Sequence, residues 1–239
     1  PNNGTSPLDL SRFPRLTGVV DVVYNPLRTA LLLQAEALGI PHTNGLDMLV
    51  AQAKLAGELF TGGTVSDGKL DAVCREMTAQ VTNIILIGMP GSGKSTVGRA
   101  VAKALGRTFY DADAVIEERA GRSIPEIFAE EGEAPYRALE HQVLWALGRR
   151  NGVVIATGGG AVCFERNLPP LWENGRVYCL QRPVDTLPTA GRPLSTSRQR
   201  LVEMERERAP FYRRAAQVMV DNSGPLKRTV AAILEDFGR

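Results

Sequence analysis

Within this 239-residue chain, the stretch Gly88-Met89-Pro90-Gly91-Ser92-Gly93-Lys94-Ser95 constrains the fold more than any other. It has the form Gly-x-x-x-x-Gly-Lys-Ser. A buried strand run over 83–87 enters it, and a segment of helical periodicity leaves it at Ser95. Strand, glycine-rich turn and helix in that order form a phosphate-binding loop. The glycines let backbone N–H groups turn inward and approach an anion closely. The helix N-terminus adds a favourable dipole. Lys94 supplies a point charge for the β- and γ-phosphates, and the Ser95 hydroxyl suits Mg²⁺. A tight turn with no ligand has little use for a lysine and a hydroxyl in that register. The motif alone does not separate kinases, GTPases and ATPases.

Downstream, strands and helices alternate. The patterning predicts strands over 84–87, 108–110, 153–156, 177–180 and 218–220. It predicts helices over 95–105, 114–120, 124–130, 134–147, 199–208 and 226–237. Such alternation implies a parallel sheet covered by helices on both faces. Upstream lies a smaller region: a β-rich run over 19–24 ending at the Asn25-Pro26 turn, a helix over 29–38 stopping at Gly39, and a helix over 46–60 closed by Thr61-Gly62-Gly63. Fewer than ~40 ordered residues seldom bury a core unaided. Residues 64–80 read as a linker containing a helix over 70–79.

Composition excludes some function classes. A net charge of +2 is too small to argue for nucleic acid or a membrane surface as partner. The basic run 206–214 reads as a solvated helix face. No stretch approaches the ~20 apolar residues of a membrane span. No signal peptide is visible, and since residue 1 is Pro1 an upstream targeting segment stays open. Cys74, Cys163 and Cys179 show neither paired nor metal-ligand spacing, so buried reduced thiols in a cytosolic protein are expected.

Further candidates surround the loop. Asp111-Ala112-Asp113 follows the second strand of the larger region, where an i, i+2 spacing on a strand points both carboxylates into the nucleotide crevice. They suit holding Mg²⁺ through water and orienting or deprotonating an acceptor hydroxyl. Asp113 as a simple helix cap is the plainer reading. Arg137 and Arg208, taken singly, read as surface decoration. Thr157-Gly158-Gly159-Gly160 ends the third strand of that region, and reads equally as a ligand approach to backbone N–H groups or as a flexible turn.

In combination these segments resemble shikimate kinase, a small member of the nucleoside-monophosphate-kinase-like P-loop group. The resemblance rests on Gly88 to Thr96, Asp111-Ala112-Asp113, Gly121-Arg122-Ser123-Ile124-Pro125-Glu126-Ile127-Phe128, Gly132-Glu133, Tyr136-Arg137 and Glu140. It continues through Gly158-Gly159-Gly160-Ala161, Arg192-Pro193-Leu194 and Arg208-Ala209-Pro210-Phe211-Tyr212. It implies an α/β fold with a five-stranded parallel sheet flanked by helices. It implies that Asp113, Arg137, Gly158, Gly159, Gly160 and Arg208 hold shikimate, with Asp113 at the 3-hydroxyl. Gly91, Ser92, Gly93, Lys94, Ser95, Thr96, Arg192 and Pro225 would surround ATP. Ser95 and Asp111 would hold Mg²⁺, and Lys94 and Arg192 would neutralise the transferred phosphoryl group. The products would be shikimate 3-phosphate and ADP, in aromatic amino acid biosynthesis, made by a monomeric kinase domain in the cytoplasm with no nucleic-acid or membrane partner. The family's lid usually carries an additional arginine several residues before the Arg-Pro-Leu. Here Leu187-Pro188-Thr189-Ala190-Gly191 runs straight into Arg192, so a shortened lid is expected to place more of the phosphate stabilisation on Arg192.

The first region resembles the C-terminal end of shikimate dehydrogenase through Asp21-Val22-Val23-Tyr24-Asn25-Pro26, Thr29, Leu31-Leu32 and 44–52. The resemblance implies shikimate contacts from Tyr24 and Gln52, and Met48 near a nicotinamide. The family's catalytic Lys and Asp and its NADP loop lie upstream of the matching part, so NADP would serve only a complete dehydrogenase domain. The implied organisation is a dehydrogenase-like fragment over 1–64, a linker helix over 65–81 and a kinase domain over 82–239, together a truncated bifunctional protein. Two rivals remain at this point: a gluconate kinase of the same architecture, and a nucleotide-binding scaffold without catalysis.

Overall fold

The computed structural model describes residues 4–188 and 197–238. The chain divides into two compact units. One runs to Thr82 and takes in Trp172–Asn174. The other comprises Asn83–Leu171 and the chain from Gly175 onward.

The first unit holds β1 (Val19–Val20), α1 (Ala30–Ala37), β2 (His42–Thr43), α2 (Gly45–Thr61) and α3 (Asp67–Val81). Its two short strands pair in parallel, with α1 as the crossover between them. The β-rich run over 19–24 is a strand only at its first two residues, and β2, too short to show periodicity, was not expected. Thr29 caps α1, accepting the Leu32 N–H on its hydroxyl. The expected linker is helical almost throughout. Leu70, Cys74, Met77 and Val81 of α3 pack on Leu27, Leu46 and Val50. A second small cluster forms around Leu10, Val19, Leu32 and Ala35. Apolar side chains remain outside both clusters: Val20, Leu59 and Phe60 are 75%, 81% and 85% exposed.

The second unit contains β3 (Asn83–Ile87), α4 (Lys94–Leu105), β4 (Phe109–Asp111), α5 (Ala112–Ala120), α6 (Ile124–Glu130) and α7 (Glu133–Gly148). After these come β5 (Val154–Ala156), α8 (Leu168–Trp172), β6 (Gly175–Gln181), α9 (Arg198–Ala215), β7 (Val218–Asp221) and α10 (Leu226–Phe237). The five strands β3 to β7 form one parallel sheet in the order β4-β5-β3-β6-β7. β3 is central and buried along its whole length, which is why Ile84 to Ile87 read as continuous apolar sequence rather than alternation. Its one polar residue, Asn83, donates to the Gly148 and Arg150 carbonyls and accepts the Val153 N–H. Ile84 and Leu86 anchor a core with Val97 and Val101 of α4, Tyr178 and Leu180 of β6, and Ile233 of α10. Among the described residues no helix is long and apolar enough to cross a membrane.

Two local expectations give way. The helix expected to stop at residue 208 runs through Pro210 to Ala215. Pro210 removes one backbone hydrogen bond, yet Leu201, Met204, Tyr212 and Ala215 stay buried at helical spacing on one face, and that burial outweighs the loss. Asp113 is neither on a strand nor a cap. β4 ends at Asp111, whose carboxylate caps α5 by accepting the Asp113 N–H at 3.2 Å. The strand-spacing argument for two co-directed carboxylates therefore fails, because Asp113 sits in the first turn of α5. The cysteines are free as expected, but only Cys179 is buried, while Cys74 and Cys163 are half-buried.

Candidate active site

The phosphate loop joins the carboxyl end of β3 to α4. Gly88 and Gly93 have φ of +138° and +95°, which side-chain-bearing residues rarely adopt. A Cβ on Gly88 would come within 2.7 Å of the Leu180 carbonyl oxygen, and one on Gly93 within 2.7 Å of the Asn222 amide nitrogen. Asn222 braces the loop from the end of β7: its Nδ2 donates to the Ser92 carbonyl at 2.6 Å, while its Oδ1 accepts the Thr229 hydroxyl of α10 at 2.8 Å. Lys94 is buried at 8% exposure, and its ammonium donates to the Gly88 and Met89 carbonyls at 3.0 Å each. The lysine thus curls back over its own loop.

The acidic side of the site comes from β4 and α5. The Ser95 hydroxyl donates to Asp111 Oδ2 at 2.5 Å. Asp113 is half-buried, and its Oδ1 is buried with no hydrogen-bond partner among the described residues. Burial and the neighbouring Asp111 charge push the Asp113 carboxyl up to about 6, with Lys94 pulling the other way. Ser95 and Asp111 present adjacent hard oxygens of the kind Mg²⁺ takes alongside water and phosphate. Among the described residues no cluster of three or more His, Cys, Asp or Glu could cage a metal, so a cation here would draw most of its ligands from water and nucleotide.

The basic side comes from α7 and α9. Arg137 is buried between the rings of Tyr136 and Phe164, its guanidinium carbon 4.9 and 4.8 Å from their centroids. Its Nη1 donates to Glu140 Oε2 at 2.9 Å, and its Nε and Nη2 to Glu133 Oε1 at 3.0 Å. Desolvation raises the Glu140 carboxyl and Arg137 opposes the rise. Arg208 donates to the Gly159 carbonyl at 3.0 Å, and the Tyr212 hydroxyl donates to the same oxygen at 2.5 Å.

The glycine triplet is a packing element rather than a loose turn. A Cβ on Gly158 would lie 2.9 Å from both Asp113 Oδ1 and Glu140 Oε1. On Gly159 it would meet Pro90 at 2.7 Å, and on Gly160 it would meet Arg137 Nη2 at 3.0 Å. These glycines let the acidic pair, the phosphate loop and the arginines approach one another.

A cleft of about 870 Å³ opens between these groups. Gly91, Gly93, Lys94, Ser95 and Thr96 line it from the loop, Asp111 and Asp113 from one flank, and Arg137, Gly159, Gly160 and Arg208 from the other. Ser92, Gly158 and Pro225 do not line it. Ser92 is buried beneath the loop, Gly158 packs behind Asp113, and Pro225 precedes α10. Arg192 lies outside the described residues. Tyr24, Met48 and Gln52 are exposed on the first unit. Sequence reasoning gave no role to Tyr136, Glu140 or Arg182. Glu133 and Glu140 stand four before and three after Arg137 on one helix, a spacing that signals a paired arginine. Arg182 carries no local signal, and only strand register brings it to the cleft.

Comparison with known proteins adds a family. A family model described as shikimate kinase matches residues 90–237. The shikimate kinase of Halorhodospira halophila is 46% identical over 158 residues, covering 63% of this chain and 89% of that relative. That of Nitrosomonas europaea is 42% identical over 148 residues, covering 59% of this chain and 70% of that relative. Among solved structures, shikimate kinase from Acinetobacter baumannii in complex with shikimate superposes with a TM-score of 0.63 at 37% identity, covering 67% of this chain and 95% of that one. The Aquifex aeolicus shikimate kinase gives 0.58 at 35% identity, covering 65% and 95%. The family match leaves the residues before 90 outside it.

Proposed function

This chain belongs to the shikimate kinase family, and from that premise we propose how its own residues transfer the γ-phosphoryl group of ATP to the 3-hydroxyl of shikimate. One observation carries the assignment of roles. The Asp113 carboxylate borders the same cleft as Lys94, Arg137 and Arg208. Asp113 accepts the proton of the attacking hydroxyl as the new O–P bond forms and the bond to the β–γ bridging oxygen breaks, releasing ADP. Its raised affinity for a proton suits that task. Lys94 leaves the Gly88 and Met89 carbonyls to donate to phosphate oxygens, where charge builds. Gly91, Gly93 and Thr96 offer backbone N–H groups to the same phosphates. Arg137 and Arg208 take the substrate carboxylate, each charge-assisted bond being worth about 1.5–3 kcal/mol. Ser95 and Asp111 would hold Mg²⁺, which when bound neutralises the β- and γ-phosphates.

The test is shikimate-dependent ADP release, with gluconate as the competing acceptor, in wild type and Asp113→Asn. Turnover on shikimate, little on gluconate and a loss of at least about 100-fold in Asp113→Asn are expected. ATP binding with no shikimate-dependent ADP release would favour the scaffold reading instead.

For residues 1–64 we infer a dehydrogenase-like C-terminal fragment, with 65–81 as a connecting helix and 82–239 as the kinase domain. The parallel β1–α1–β2 crossover supports this reading, as do the exposed apolar side chains Val20, Leu59 and Phe60. NADP would serve only a complete domain of that kind. The coding sequence upstream of Pro1 decides the matter, and a stretch without a glycine-rich dinucleotide loop refutes the fusion.

A further inference from the structure

Arg182 is the first residue past β6, and strand register places it beside the phosphate loop. Ile87 pairs with Cys179, and a Cβ on Gly88 would nearly touch the Leu180 carbonyl. β6 therefore runs alongside the chain as that chain enters the loop, and just past its end Arg182 lines the same cleft as Pro90. Arg182 is exposed and lines the same cleft as Gly91 and Lys94. It stands on the β6 side of β3, whereas Asp111 and Asp113 enter from the β4 side.

The cations bordering the cleft differ in their present partners. Lys94 donates to two backbone carbonyls, Arg137 to two carboxylates and Arg208 to the Gly159 carbonyl. Arg182 uses only its Nε, which donates to the Thr186 hydroxyl at 3.1 Å. Thr186 in turn donates to the Pro183 carbonyl at 2.7 Å, so the turn holds that hydroxyl in place. Both terminal nitrogens of Arg182 are without a hydrogen bond or ion pair among the described residues. A guanidinium pinned through Nε, with its Nη1–Nη2 edge open, has the planar fork that phosphate takes bidentately. Residues 183–197 contain one other basic residue, Arg192.

We propose that Arg182 is a phosphate-binding residue of this site, its open edge donating two hydrogen bonds to non-bridging oxygens of the nucleotide triphosphate. The proposal rests on the reading of the cleft as an ATP site. It adds a cation from just past β6 to the one the loop supplies, Lys94.

The experiment uses the full chain and two measurements. The first is the Kd of magnesium β,γ-imido-ATP for wild type, Arg182→Ala and Arg182→Lys, without acceptor. The second is steady-state ADP release with ATP and shikimate each varied. Arg182→Ala is expected to raise the nucleotide Kd and lower kcat/KM for ATP by about tenfold or more, as for a lost charge-assisted bond. Arg182→Lys should fall between, keeping the charge but losing the fork, and KM for shikimate should stay within twofold. Nucleotide binding by Arg182→Ala within twofold of wild type overturns the proposal. So does a parallel loss for both substrates, which marks a merely structural residue. If wild type binds the nucleotide but releases no ADP with shikimate, the kinase reading falls, while the binding measurement still decides the role of Arg182.

Discussion

Replacing Asp113 with Asn should stabilise the ligand-free protein while removing its proposed base. Folding holds the Asp113 carboxyl at about 6, against 3.8 for an unperturbed group, because burial and Asp111 disfavour its charge. The folded state therefore binds more protons than the unfolded state between those two values. Stability from this group is present at low pH and is lost as pH rises from about 4 through about 6. Above that window the penalty is constant. About two units at 1.36 kcal/mol each give roughly 3 kcal/mol. Asn carries no charge to desolvate, and its amide can donate to neighbouring carboxylate oxygens. At pH 8 the variant should gain about 3 kcal/mol, or some 6–12 °C in Tm for a chain of this size. At pH 4.5 the gain should shrink to well under half of that. The assay is urea or thermal denaturation of wild type and Asp113→Asn across pH 4.5–8, with nucleotide absent and metal removed by chelator. A difference between the two proteins that does not grow with pH refutes the reasoning. It would mean that the buried carboxylate already has its charge compensated.

Other consequences follow from the same geometry. The acidic limb of kcat/KM for shikimate should fall near pH 6, activity being lost as Asp113 takes up its proton in the free enzyme, and a profile flat down to pH 5 would exclude Asp113 as the base. Gly98→Ala in α4 should cost about 1–3 kcal/mol, read by denaturation, because its Cβ would lie 2.4 Å from the Phe109 ring. Asn222→Ala should raise KM for ATP severalfold with the fold retained on circular dichroism, since it frees the Ser92 carbonyl from its brace.

Much of this fold is legible in sequence where a local rule and a tertiary demand agree. The phosphate loop, its flanking strand and α4 are contiguous, so motif, periodicity and glycine chemistry all point one way. The helix over 226–237 is read correctly to the residue because it is amphipathic and bounded by Pro225 and Gly238. Legibility fails where the two disagree. Pro210 says stop, but the buried face through Tyr212 and Ala215 says continue, and only the folded chain shows that face. Asp113 looks like a cap because it precedes a helical run, yet Asp111 takes the cap two residues earlier. The glycine triplet looks ambiguous in sequence because its three partners, Asp113, Pro90 and Arg137, are brought to it by other elements. Arg182 reaches the cleft only through the pairing of β6 with β3.

The charged groups in and beside the cleft differ in how fully the protein itself pairs them. Glu140 is buried and bonded to both Arg137 and Tyr136, so it stays with the protein. Glu133 is 53% exposed and takes the opposite edge of the same guanidinium, so water readily replaces it. Glu133 borders a second pocket, with Arg137, Cys163 and Phe164, and not the cleft itself, so Glu140 is the pairing that keeps Arg137 oriented. Removing Glu133 alone leaves a partnered arginine, whereas removing Glu140 leaves an incompletely compensated buried cation, a loss of the order of 3–5 kcal/mol. Asp113 is the contrasting case, a carboxylate whose buried Oδ1 has no hydrogen-bond partner among the described residues. Arg137 is thus paired within the protein, while Asp113 keeps a buried oxygen unsatisfied. On the proposed reading, a molecule that offers a carboxylate to Arg137 and a hydroxyl to Asp113 would meet both residues in one cleft, and would gain more from the pair than from either contact alone.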